Sequence, residues 1–255
     1  MAEWARRSAE PTPLRGLVQR FPIPTAPSGP PIRPQTPPPR IDDLIKSPGA
    51  VYLLDAGVGF AFAHAKLFPA LVAHYTGQLY FSSVVENEWR RRARKVVAAC
   101  GASNGGDQAE RDRRLQSAGN YLISRGVLLL PGCRLELPDE AATEVADLQQ
   151  DLADLHPRQL ADGANGGECA TVWEGRRLRR EGQEIVVLCA DDDRARRLGG
   201  QNGLAARTTP HILREMVSAG SMSADDAHTN FLTAQQVCSP RVGLVQQFAC
   251  PDDFR

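Results

Sequence analysis

The sequence predicts an α/β protein, a three-layer α/β/α sandwich around a central parallel sheet of about four to five strands. Three observations predict it. Short apolar runs recur along the chain, each is followed by a stretch with helical spacing, and acidic residues stand where the runs end.

Composition first sets aside the N-terminus. Of 19 prolines, 12 fall within residues 1–50, and residues 11–40 contain no apolar period long enough to bury a face. Such a segment cannot offset the entropy of ordering its backbone, so residues 1–45 are expected to be a disordered or polyproline-II-like arm. The folded domain is expected over residues 46–240, leaving 241–255 as a C-terminal tail.

Within the domain, Ala50–Leu54 (AVYLL) is a short apolar run ending on Asp55, the pattern of a buried parallel strand. A helix is expected over 58–75, kinked at Pro69. Gln78–Ser82 (QLYFS) reads as a second strand, with Ser83 capping a helix from Val84 to about Cys100. Residues 101–107 are polar and glycine-containing, which predicts a loop. A charged helix follows over 108–124, then Gly126–Pro131 (GVLLLP) as a third strand. Ala142, Val145, Leu148 and Leu152 recur at helical spacing and place a helix over 139–155. Pro157, Gly163, Gly166 and Gly167 break the chain into a loop, and Glu168–Arg180 starts a helix directly behind two glycines. Glu184–Ala190 (EIVVLCA) predicts the fourth strand, ending on Asp191, Asp192 and Asp193. Helices over 210–219 and 224–236 close the domain.

Several function classes are excluded by the totals. The 255 residues carry 30 basic and 30 acidic side chains, so net charge points to no partner. No stretch reaches the roughly 20 apolar residues of a membrane span, and no signal-peptide core is present, so a cytoplasmic protein is expected. The six cysteines, at 100, 133, 169, 189, 238 and 250, show no zinc spacing, which argues against a zinc module or a disulfide scaffold.

The acids carry most of the functional information. In a doubly wound sheet, Asp55, Glu86 or Glu88, Glu168 and Asp191–Asp193 all fall on the edge formed by the strands' carboxyl ends. Carboxylates gathered in a dry pocket raise one another's pKa unless a cation neutralises them. Hard oxygen ligands suit Mg2+ or Mn2+, and such a site at a phosphodiester activates water for in-line attack. Each acid is trailed by arginines: Arg90, Arg91, Arg92, Arg94 and Lys95 after Glu88, Arg176, Arg177, Arg179 and Arg180 after Glu168, and Arg194, Arg196 and Arg197 after Asp191. Of these, Arg91, Arg92, Arg94, Arg176, Arg177 and Arg196 are the candidate RNA contacts, since neutral totals still allow a strong local field.

The ordered set Leu53-Leu54-Asp55-Ala56-Gly57, Val85-x-x-Glu88-Trp89, Gly167-Glu168-Cys169-Ala170 and Asp191-Asp192-x-x-Ala195-Arg196 resembles the PIN-domain nucleases, in particular their prokaryotic, VapC-toxin-like branch. Thr208–Leu213 and Ser223–Ala227 look like that family's closing helices, so the resemblance spans residues 50–236. It implies a helix-sandwiched parallel sheet and an endoribonuclease that holds Mg2+ or Mn2+ on Asp55, Glu88, Glu168 and Asp191, with Asp192 or Asp193 assisting. It further implies RNA as substrate, the role of toxin in a type II toxin–antitoxin pair, a cognate antitoxin and a homodimer. Trp89 departs from the family's aliphatic residue, and the segment between the second and third acids is long.

Other readings of the same residues remain. Asp55 also reads as a helix cap, Glu88 as a solvated helix acid, Glu168 as a complement to a helix dipole, and the Asp triplet as a turn. On those readings the domain binds RNA or a protein without cutting. A haloacid-dehalogenase-like phosphatase would want an Asp two residues after Asp55, where Gly57 stands.

Overall fold

The computed structural model describes residues 49–95, 106–155, 166–189, 193–238 and 242–255. The arm expected over 1–45 lies outside the described residues. Five strands, β1 (Val51–Leu54), β2 (Leu79–Ser82), β3 (Arg134–Leu135), β4 (Ile185–Leu188) and β5 (Ala205–Arg207), form one sheet in the order β3-β2-β1-β4-β5. All of these pairings are parallel. The helices are α1 (Ala56–His64), α2 (Phe68–His74), α3 (Ser83–Arg94), α4 (Gly106–Tyr121), α5 (Ala141–Leu155), α6 (Gly166–Arg180), α7 (Asp193–Gln201), α8 (Thr209–Ser218), α9 (Ala224–Ala234) and α10 (Val242–Gln247). The fold is α/β, with helices on both sides of a five-stranded parallel sheet.

Strand periodicity divides the core in two. Tyr52, Leu54, Leu79, Phe81, Val186 and Leu188 face one core, packed by α1–α4, α8 and α9. Leu53, Ile185 and Val187 face the other, packed by α5–α7. The apolar runs at β1 and β4 have no polar alternation because both of their faces are covered. From β1 the chain steps to β2 on one side, while β4 later pairs on the other in register Val51↔Ile185 to Leu54↔Leu188. The order therefore reverses between β1 and β4, where open α/β sheets form a crevice beyond their carboxyl ends.

Four expectations need correction. The single helix over 58–75 is two: Lys66 takes a left-handed backbone (φ 59°) between α1 and α2, and Pro69 sits in the first turn of α2, where its missing N–H costs nothing. Gly126–Pro131 is not a strand. It continues α4 through a π-helical turn (Leu122–Gly126) and a 3-10 turn (Val127–Leu129), burying Leu122 and Leu130 and leaving Leu128 exposed. A short apolar run has no period that separates the two outcomes. The third strand is instead Arg134–Leu135, paired with Phe81–Ser82, and β5 was not anticipated. Finally, residues 242–255 are not a tail. Phe248 and Phe254 are fully buried, tilted against each other and edge-on to Phe231 of α9.

Candidate active site

Asp55 follows β1 directly. Its backbone N–H donates to the Leu188 carbonyl at 2.9 Å, which fixes it beside the end of β4, and its side chain is buried. One carboxylate oxygen accepts from the Gly57 N–H at 3.0 Å, so Asp55 caps α1. The cap holds the carboxylate at the crevice rather than removing it from the site.

The two candidates for the second acid have different long-range partners. Glu86 is buried under two arginines, Arg90 of its own helix and Arg134 of β3, the latter with Nε 2.8 Å from Oε2. Its charge is thus committed to fastening α3 against β3. Glu88 turns the other way and accepts the Gly167 N–H at 2.9 Å. Gly167 is glycine for a steric reason: a Cβ there would stand 2.8 Å from Glu88 Oε1.

That contact brings Glu88 to the first turn of α6, which carries Glu168. The amide dipoles of a helix start favour negative charge at this point. Because α6 delivers the chain to the beginning of β4, its own start lies toward the opposite edge, the one Asp55 occupies. Gly166 accordingly lies beside Val84, two residues past the end of β2. The Cys169 thiol beneath is pushed up to about 12, first by burial and then by the fields of Glu168, Asp151 and Glu88. Asp151, on α5, is a third carboxylate near this corner that sequence reasoning passed over. Its one signal was its place three residues after the core residue Leu148.

Trp89 ties the two acidic elements together. Its indole N–H donates to the Ala56 carbonyl at 3.4 Å, and its ring lies where a Cβ at Gly59 would come within 2.8 Å. Phe81 and Phe68 flank it at centroid distances of 5.3 and 6.4 Å. The bulky residue at this position is therefore matched by a glycine on α1.

Asp191 and Asp192 lie outside the described residues; Asp193 opens α7. Among the described residues, no three His, Cys, Asp or Glu side chains are gathered closely enough to hold a metal ion. The donor chemistry nonetheless fits a hard divalent cation: Glu88, Glu168 and Asp55 offer carboxylate oxygens, with no thiolate among them, since Cys169 is held protonated.

The arginines divide into committed and open sets. Arg177 pairs with the buried Glu174 at 3.0 Å and with Glu181 at 2.8 Å. Lys95 and, more distantly, Arg92 pair with Asp112 at 2.8 and 3.9 Å, and the Lys95 hydrogen bond holds the Asp112 carboxyl below its ordinary range. Arg176 is half-buried on α6, and Arg196 is exposed on α7. Arg91 and Arg94 are exposed and have no acidic partner among the described residues. No helix among the described residues is long and apolar enough to cross a membrane.

No family model, curated protein or solved structure matches the chain.

Proposed function

We propose that the domain is a Mg2+- or Mn2+-dependent endoribonuclease that hydrolyses RNA phosphodiester bonds. The observation that supports this most is the meeting of Glu88 with the first turn of α6, next to Glu168, on the crevice edge that also carries Asp55. Glu88 and the start of α6, remote in sequence, meet there, and the side chains on offer carry oxygen donors. Asp55, Glu88, Glu168 and Asp191, helped by Asp192, would hold the cation. When bound, such an ion supplies activated water and charge neutralisation at the phosphodiester.

The chain's own residues prepare the site. The Gly57 and Gly167 N–H groups donate to the Asp55 and Glu88 carboxylates and orient them. Glu86, bound by Arg90 and Arg134, anchors the helix that presents Glu88. On the family resemblance, the proposal extends to a cytoplasmic toxin with a cognate antitoxin and a homodimeric state.

The test is cleavage of RNA in the presence of Mn2+ by wild type and Asp55→Asn. Asn caps a helix about as well as Asp, so the variant should keep its stability to within about 0.5 kcal/mol while losing cleavage. Equal cleavage by both proteins would remove Asp55 from the chemistry.

A second reading rests on the same contacts: Asp55 and Glu88 already serve helix starts, as they would in a non-catalytic RNA- or protein-binding domain. Calorimetric titration with Mn2+ separates the two, because a domain that uses these acids only as caps has no need of a metal.

A further inference from the structure

We infer that the outer face of α3 is the track for the nucleic-acid backbone, and that it reads phosphates rather than bases. An open groove there is lined by Asn87, Arg90, Arg91, Arg92, Arg94 and Lys95. It holds five cations, and among the described residues the acids paired with them are Glu86 and Asp112. A positive excess therefore remains, concentrated on the exposed Arg91 and Arg94.

The helix sets the distances. Asn87, Arg90, Arg91 and Arg94 share one exposed face of α3 at spacings of three, four and seven residues, next to Glu88. At a rise of 1.5 Å per residue, Arg91 lies about 4.5 Å and Arg94 about 9 Å along the axis from Glu88. Both are within one or two phosphates of the acidic corner. Among the described residues that line the groove there is no aromatic or aliphatic side chain, so they offer bases nothing to stack on and a protein partner no apolar anchor. That favours a polyphosphate backbone over an acidic protein. The α6 arginines are less suited, since Arg177 is spent on Glu174 and Glu181.

This inference rests on the nuclease reading, and it is tested by binding with the metal removed. A fluorescent single-stranded oligouridylate is titrated with the full chain in EDTA, and affinity is followed by anisotropy against KCl concentration. Loss of two phosphate contacts in Arg91→Ala/Arg94→Ala should flatten the log–log salt slope by about 1.4, at about 0.7 per phosphate on a single strand. Over a fourfold rise in salt, wild type would then lose about sevenfold more affinity than the variant. Arg91→Lys/Arg94→Lys should keep the wild-type slope, as should Arg125→Ala, at an exposed arginine of the π-helical turn that does not line the groove. An unchanged slope in the double alanine variant overturns the inference, as does displacement of the RNA by polyglutamate at equal charge. Cleavage with an unchanged slope removes the groove alone, whereas a flattened slope without Mn2+-dependent cleavage removes the nuclease reading alone.

Discussion

Replacing Gly167 by alanine isolates the contact that joins the second and third acids. The new methyl would lie 2.8 Å from Glu88 Oε1 and 3.0 Å from its Cδ, so the carboxylate must leave the start of α6. A hydrogen bond to a charged group contributes about 1.5–3 kcal/mol, while alanine in place of glycine returns at most about 1 kcal/mol of helix propensity. The net loss is about 0.5–2 kcal/mol, because the obstacle is the far end of a flexible side chain. In a Glu88→Ala background the steric conflict is gone, and the same substitution should be neutral or stabilising by up to about 1 kcal/mol. Urea denaturation of the wild type, both single variants and the double variant measures the coupling, expected at about 1.5–3 kcal/mol. A coupling below about 0.5 kcal/mol would show that Glu88 does not engage this helix, and the geometry built on it would fall. On the nuclease reading, Gly167→Ala also weakens Mn2+ binding more than its stability cost explains.

Two further outcomes follow from the far side of the fold. Phe254→Ala, at a fully buried ring among Phe231 and Phe248, should cost about 3–5 kcal/mol in denaturant; a loss under about 1 kcal/mol would return residues 242–255 to the status of a tail. His211 is pushed down to about 4, chiefly by burial and then by Arg207, Arg196 and Arg214. Its folded pKa lies below its ordinary 6.5, so the unfolded chain binds the proton first; the contribution is complete above pH 6.5 and is lost as pH falls toward 4, by about 3 kcal/mol. Stability curves of wild type and His211→Gln that stay parallel across that window would refute the assignment.

The features legible in the sequence were those with a local physical signature. Val51–Leu54 and Ile185–Leu188 announced themselves because strands covered on both faces must be apolar throughout. The cap expected at Ser83 falls one residue earlier, on Ser82, whose hydroxyl oxygen accepts the Val85 N–H at 3.2 Å, because two adjacent serines give the same local signal. The short outer strands left no such mark. Arg134–Leu135 and Ala205–Arg207 are two and three residues long and contain arginine, and they are strands only because a neighbour offers its edge. Asp55 and Glu168 could be placed at their element boundaries from sequence. The different surroundings of Glu86 and Glu88 could not, since they depend on Arg134 and Gly167, which reach α3 from remote parts of the chain.

The pairing of β1 with β4 also has a consequence for how the protein comes into being. Val51 meets Ile185 across most of the domain, and β2, β3 and six helices intervene in the chain. Closing so long a loop is slow and yields little until the partner strand is in place. Asp55 cannot reach the Leu188 carbonyl before that moment, nor can α6 be seated behind the sheet. The acidic corner is therefore among the last parts to assemble, so that on the nuclease reading an unfinished chain would carry its arginines before it had a site to cleave with.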